Sequence, residues 1–366
     1  MQRILVVYGT RPEAIKMMPV VRALRARESD FDVTVCATAQ HREMMDQVHQ
    51  VFEFEADIDL DLMRPNQTLN GLSSRCFEAL DQVLMEAAPD WVLVQGDTTT
   101  AMVVAQAAFH RGVKVGHVEA GLRTGDLKHP FPEEANRRVI DVFAEALFAP
   151  TGRSRQALLD EGVDPGRVHV TGNTCVDALH HAVAITGKQQ PGPEVLITVH
   201  RRESFGDAIR EIFRAIRELA EAFPDHRFIY PVHRNPNVRQ AADEVLTGVG
   251  NLELHEPFDY LELVKAMQRA RLILTDSGGI QEEAPTFGTP VLVLRRTTER
   301  PEGVDAGVSR LVGADRKAII TEATKLLTDE EAHAAMARPA NPYGDGQAAD
   351  RIASVLAGEP FKPFRS

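Results

Sequence analysis

Short β-rich runs alternate with longer amphipathic stretches along this chain, in two successive sets. That feature constrains its fold more than any other. The first set is RILVVYG, DVTVCAT, WVLVQGD, KVGHVEA and ALFAPT; the second is EVLITVH, RFIYPVH, LELHEP, LILTDS and PVLVLR. Between them lie helical patterns such as EAIKMMPVVRALRAR and GDAIREIFRAIRELAEAF. Strands separated by helices of that length mean βαβ units and parallel sheets. The two sets open alike, ILVVYGTRPEAIK and VLITVHRRESFGDAI, each a strand, an Arg-bearing turn and a helix. The chain has 366 residues, which suits two domains of roughly 150–200 residues rather than one core. The expected fold class is α/β, with two Rossmann-like domains, parallel sheets and a central cleft.

A helix running into a Gly/Pro/Gln connector over 171–192 marks the boundary. The expected division is an amino-terminal domain over 1–175 and a carboxy-terminal domain over 176–346. A helix at about 347–366 is expected to pack back on the first domain. The net charge of −12 argues against nucleic-acid and anionic-membrane partners. A nucleotide ligand would then need a local cluster of cations and helix N-termini. Cys36, Cys76 and Cys175 match no metal motif and read as buried thiols of a reducing compartment. Neither a metal nor a cofactor is expected. The chain enters a strand directly after Met1, and no apolar run approaches ~20 residues. A cytoplasmic setting is the expectation.

In open parallel sheets, ligands bind beyond the carboxyl ends of the strands, so residues just after each strand deserve scrutiny. Thr10 and Glu13 form a T-x-x-E capping box with Pro12 in the first turn. Capping explains neither Arg11 nor Lys16, cations at a helix start where the macrodipole disfavours them. They point to a nearby anion. Asp97, in QGDTTT, reads either as an N-cap or as a carboxylate facing a ligand. Glu119, in HVEAGLRTGD, ends a buried strand and needs a partner or a task; a purely structural role would pair it with Arg123. Glu133 and Arg137, in FPEEANRR, fit an ordinary exposed helix start with i,i+4 pairs, but closely follow two placed carboxylates.

In the second half, His200-Arg201-Arg202 follows a strand and suits a diphosphate. Ser277, Gly278 and Gly279 follow another strand and open a helix, where backbone N–H groups can approach phosphate oxygens. A Glu one turn further on can take both hydroxyls of a ribose. The segment Arg296–Glu302 reads as a polar loop able to close over a ligand. No GxxxxGK[ST] occurs and no GxGxxG follows the first strand, which excludes a P-loop and an ordinary dinucleotide site.

Taken in order, GTRPEAIK, TAQHREM, GDTTT, HVEAGLRTGD, PEEANR, HRRESFG, PVHRNP, LTDSGGIQEEAP, TTERPEG and NPYGDG closely resemble the bacterial non-hydrolysing UDP-N-acetylglucosamine 2-epimerases across nearly the whole chain. The resemblance implies a fold like the GT-B glycosyltransferases, with a UDP-binding carboxy-terminal domain. It implies reversible conversion of UDP-N-acetylglucosamine to UDP-N-acetylmannosamine, by elimination of UDP to a 2-acetamidoglucal and re-addition. Homodimers are typical, and the product feeds polysaccharide synthesis. By motif, the catalytic groups would be Asp97, Glu119, Glu133, Arg137 and His200. The nucleotide would be held by Arg11, His200, Ser277, Gly278, Gly279, Glu283 and Arg300. A second site for an activating UDP-N-acetylglucosamine would involve Lys16, Gln40, His41, Gln67 and His233. Asn66 and Arg234 depart from the activator-binding pattern and bear on activation, not on the reaction. A GT-B glycosyltransferase, a hydrolysing 2-epimerase and a non-catalytic nucleotide-sugar sensor are the alternatives.

Overall fold

A computed structural model of the chain describes residues 1–38, 52, 54–64, 67–201 and 205–365. The chain divides into two compact units, one of Met1–His180 with Tyr343–Ser366, the other of His181–Pro342. The connector helix Thr174–Thr186 carries the chain across that division.

Unit 1 is built on seven strands: β1 (Gln2–Tyr8), β2 (Phe31–Ala37), β3 (Ile58–Asp59), β4 (Trp91–Gln95), β5 (Lys114–Val118), β6 (Ala146–Ala149) and β7 (Val168–Val170). Their order is β3-β2-β1-β4-β5-β6-β7 and every pairing is parallel. Val92, Leu93 and Val94 of β4 are fully buried, as expected of a central strand covered on both faces. The order reverses between β1 and β4. That switch point opens a crevice at the carboxyl edge and puts Gly9–Arg11 beside Gly96–Asp97. The last helix, Ala348–Ala357, also belongs to unit 1. Gln2 Nε2 donates to Leu356 O at 2.8 Å, and Asp177 accepts from the N–H groups of Ala348 and Ala349 at 3.3 and 2.9 Å.

Unit 2 carries β8 (Glu194–Thr198), β9 (Arg227–Pro231), β10 (Leu252–His255), β11 (Ala270–Thr275), β12 (Val291–Val293) and β13 (Ser309–Leu311). The order is β10-β9-β8-β11-β12-β13, again all parallel. Its switch point lies between β8 and β11, which places His200 beside Asp276 and Ser277.

Backbone geometry at the end of β5 is demanding. Gly121 has φ +85°, and a Cβ there would stand 2.3 Å from the carbonyl oxygen of Ser154. Both facts require glycine. Gly121→Ala is expected to destabilise unit 1 by more than about 1 kcal/mol, read as a lower urea midpoint; an unchanged midpoint would show that the Ser154 turn yields freely.

Candidate active site

The carboxyl edge of unit 1 gathers an ordered set of charges. Thr10 caps the helix Arg11–Arg25, and Glu13 closes the box by accepting from the Thr10 N–H at 2.7 Å. Glu13 also accepts from Gly9 N at 3.2 Å and from the Thr98 hydroxyl at 2.8 Å. It therefore ties the turn after β1 to the turn after β4. Burial pushes its carboxyl above the usual range, against the pull of those hydrogen bonds.

Glu119 follows β5 with φ +72°, a left-handed conformation for a residue with a Cβ. Such a backbone costs of order 1–2 kcal/mol and persists where the surroundings enforce it. Here the surroundings are donors to one carboxylate oxygen, Oε2: the Lys16 ammonium, Gln95 Nε2 at 3.0 Å and Asn173 Nδ2 at 3.0 Å. The anion expected near Lys16 is thus Glu119 itself. The Glu119–Arg123 pair raised as a structural alternative is not the one found. Arg123 instead bridges Asp141 and Glu161, each at 2.7 Å.

Asp97 stands partly exposed at the end of β4. Arg137 approaches it with Nε at 3.1 Å and Nη2 at 2.5 Å from Oδ2, and Asn136 Nδ2 donates to its backbone carbonyl at 2.9 Å. Arg137 is only 3% exposed, so the helix Glu133–Phe143 does more than present exposed i,i+4 pairs. Glu134, fully buried, holds Arg137 at 3.2 Å and takes the N–H groups of Thr124 and Gly125 at 3.1 and 3.2 Å. Glu133 opens the same helix and is half-buried. Gln95, Asn136 and Asn173 were missed at the sequence level. Their signal was a buried polar residue at a strand end or on an inward helix face.

In unit 2, Asp276 is fully buried and accepts from the backbone N–H groups of His200 at 3.0 Å and Arg201 at 2.9 Å. His200 is about one-third exposed and stacks on His233, ring centroids 5.2 Å apart. Ser277 precedes the short helix Gly278–Glu283 without using its hydroxyl as a cap. Around Gly279 a Cβ would meet nothing within 4 Å, so that backbone is open to a ligand. Glu283 accepts from the Tyr260 hydroxyl at 3.1 Å.

Arg300 differs from expectation. Its guanidinium pairs with Glu282 at 2.5 Å and with Glu299, beside the Arg295–Glu299 pair at 3.0 Å. A Cβ on Gly278 would lie 2.6 Å from this guanidinium, so glycine there makes room for Arg300. Arg295, Glu299 and Arg300 are all buried, and only Arg296 and Thr297 are exposed. The segment expected to close as a loop is anchored at both ends. Burial alone would raise the Glu299 pKa. The guanidiniums of Arg300, Arg295 and Arg201 outweigh it and hold the carboxyl well below the usual range.

Of the residues assigned to an activator site, Gln40 and His41 lie outside the described residues, as does Asn66. Gln67 accepts from the Arg75 guanidinium and from Arg64 N at 3.3 Å. Among the described residues no cluster of His, Cys, Asp and Glu could hold a metal ion, and no helix is long and apolar enough to cross a membrane.

Comparison with known proteins agrees in kind with this geometry. A profile of the family described as UDP-N-acetylglucosamine 2-epimerase matches residues 22–357. The UDP-N-acetylglucosamine 2-epimerase of Escherichia coli K12 is 50% identical over 369 residues, covering 97% of this chain and 98% of that protein. The crystal structure of UDP-GlcNAc 2-epimerase from Neisseria meningitidis bound to UDP-GlcNAc superposes with TM-score 0.93 at 46% identity, covering 98% of this chain and all of that one. A glycotransferase of kitacinnamycin, 14% identical with TM-score 0.66, covers 97% and 98% and shares the fold alone, which is GT-B-like.

The Glu299 network carries a stability prediction. A carboxyl whose pKa falls on folding stabilises fully above its ordinary value of 4.5, and that contribution drains as pH falls below it. Glu299→Gln removes the carboxylate shared by buried Arg295 and Arg300, although Arg300 keeps Glu282, so a loss of about 3 kcal/mol is expected near neutral pH. The gap to wild type should narrow in acid. Urea melts at several pH values test this; a gap that is constant or widens in acid would dismiss the network as a source of stability.

Proposed function

The chain belongs to the UDP-N-acetylglucosamine 2-epimerase family, and on that premise we propose how its residues carry the reaction. The activity is that of an isomerase, interconverting UDP-N-acetylglucosamine and UDP-N-acetylmannosamine at carbon 2. The proton on carbon 2 is not acidic, because no carbonyl stabilises the anion. Loss of UDP first builds positive character at carbon 1 and makes that proton removable. We therefore favour elimination to a 2-acetamidoglucal followed by re-addition of UDP. Inversion needs proton removal on one face and delivery on the other, hence two acid–base groups.

In this proposal Asp97, Glu119 and Glu133 supply those groups, and Arg137 aims Asp97. The observation that carries the reading is Glu119, a carboxylate held by the Lys16 ammonium and two side-chain amides on a left-handed backbone. Unit 2 would hold the nucleotide: His200 and the backbone of Ser277–Gly279 at the diphosphate, Glu283 at the ribose. Donors fixed before the reaction stabilise the leaving diphosphate without reorganisation. Arg300, tied to Glu282 and Glu299, would brace Gly278 rather than bind phosphate directly. Lys16, engaged by Glu119, would serve the reaction more than an activator. No cofactor is required.

The reaction is tested in deuterium oxide with UDP-N-acetylglucosamine as sole substrate. Deuterium is expected at carbon 2 of the product. Turnover with retained protium, or free N-acetylmannosamine as the product, would sink the mechanism. Asp97→Asn, Glu119→Gln and Glu133→Gln should each lower kcat at least ~10²-fold while UDP binding by calorimetry survives. Near-full activity in all three would return the carboxylates to structural roles.

We further propose a homodimer in the cytoplasm. The buried thiols Cys36, Cys76 and Cys175 suit a reducing compartment. The exposed Phe109 and Val142 support a second copy. They lie on the neighbouring helices Thr99–His110 and Glu133–Phe143, where the Phe109 and Phe143 rings sit 4.9 Å apart. Phe109→Glu combined with Val142→Glu should shift the sedimenting species to monomer; an unmoved dimer would place the contact elsewhere.

A further inference from the structure

His117 lies on β5, two residues before Glu119, and is completely buried. Both ring nitrogens face acceptors. Nε2 is 2.7 Å from the Gly96 carbonyl oxygen, and Nδ1 is 2.6 Å from Asp141 Oδ1. A carbonyl can only accept, so Nε2 carries a proton. The other Asp141 oxygen takes the Arg123 guanidinium at 2.7 Å, and Arg123 in turn is bridged to Glu161 at 2.9 and 2.7 Å. Asp141 is thereby fixed between Arg123 and the His117 ring, so the ring links the helix Glu133–Phe143 to the Gly96 peptide.

The groups facing His117 come from three places: Asp141 on the helix Glu133–Phe143, Arg123 after β5, and Glu161 at the end of the helix Gly152–Asp160. Hydrogen bonds join the row from His117 through Asp141 and Arg123 to Glu161. The row starts in the core and ends at a side chain 36% exposed. A histidine that merely filled space would need neither proton nor partner.

The peptide it grips is that of the turn carrying Asp97. Gly96 has φ +71°; its N–H donates to Val118 O at 3.0 Å and its carbonyl accepts from His117. Both polar atoms of Gly96 are thus bound to β5, the strand that ends in Glu119. We propose that His117 is a positioning residue for the epimerase reaction: its ring, braced by Asp141 at Nδ1, uses the Nε2–H to lock the Gly96–Asp97 turn in register with Glu119. It never touches substrate and acts by aiming Asp97. The inference rests on Asp97 being an acid–base group.

Glutamine presents an amide N–H near the position of Nε2, and asparagine near that of Nδ1. His117→Asn should therefore lose the Gly96 contact and lower kcat by ~10²-fold, as misplacement of a catalytic group does, with KM for UDP-N-acetylglucosamine little changed. His117→Gln should restore most of the rate. Equal losses in both, no loss in either, or a change confined to KM would overturn the proposal. Nitrogen-15 NMR of the histidine-labelled wild-type protein gives an independent readout. The His117 Nε2–H should exchange slowly with solvent and show scalar coupling across its hydrogen bond to the Gly96 carbonyl; a bare Nε2 would overturn the proposal even if a variant failed to fold. Full activity of Asp97→Asn would defeat the catalytic reading of Asp97, while leaving the Nε2–H result unaffected.

Discussion

Lys16 and Glu119 meet where the helix after β1 begins and where β5 ends, and their side chains are only 10% and 5% exposed. Removing two charges from water costs several kcal/mol per ion, recovered only where geometry and further hydrogen bonds satisfy both. Gln95 from β4 and Asn173 from the segment after β7 supply those bonds. The pair therefore gathers the ends of separate elements around one oxygen. It also resolves a local conflict: a lysine in the first turns of a helix opposes the macrodipole, and the carboxylate offsets it. The left-handed backbone at Glu119 is sustained by the same contacts.

Unit 2 meets the same demand differently. Its strand ends are joined by a buried aspartate, Asp276, which takes backbone N–H groups from across the switch point. Alongside it, Arg295, Glu299, Arg300 and Glu282 form a buried ionic lattice under the Gly278 turn. Three guanidiniums, counting Arg201, surround Glu299, and Glu282 takes a share of Arg300.

The main strands were legible because central parallel strands are continuous apolar runs, as in Val92–Val94 and Val195–Ile197. β3, β7 and β13, of two or three residues, were not, since they lack the continuous apolar run that marks the equally short β12. The Thr10–Glu13 capping box was readable because its pattern is local. Long-range partners were not. A purely structural reading of Glu119 would pair it with the nearby Arg123, whereas the carboxylates of Arg123 are Asp141 and Glu161, brought in by topology. Arg300 was given a phosphate because a guanidinium suits phosphate and carboxylate alike, and nothing in its spacing announces Glu282. His117 passed as part of a strand, since no sequence signal says that both ring nitrogens find acceptors.

The helix Ala348–Ala357 belongs to the sheet that opens the chain, and Asn173, which holds Glu119, receives its backbone partner from Tyr343 at 2.7 Å. During synthesis the amino-terminal unit thus waits for nearly the whole polypeptide to leave the ribosome before its last contacts can close. Residues 181–342 are contiguous and face no such delay. Domains fold as units while the chain emerges, so the half translated second can be finished first, and Asn173, a donor to Glu119, gains its backbone contact with Tyr343 only after that half has been made.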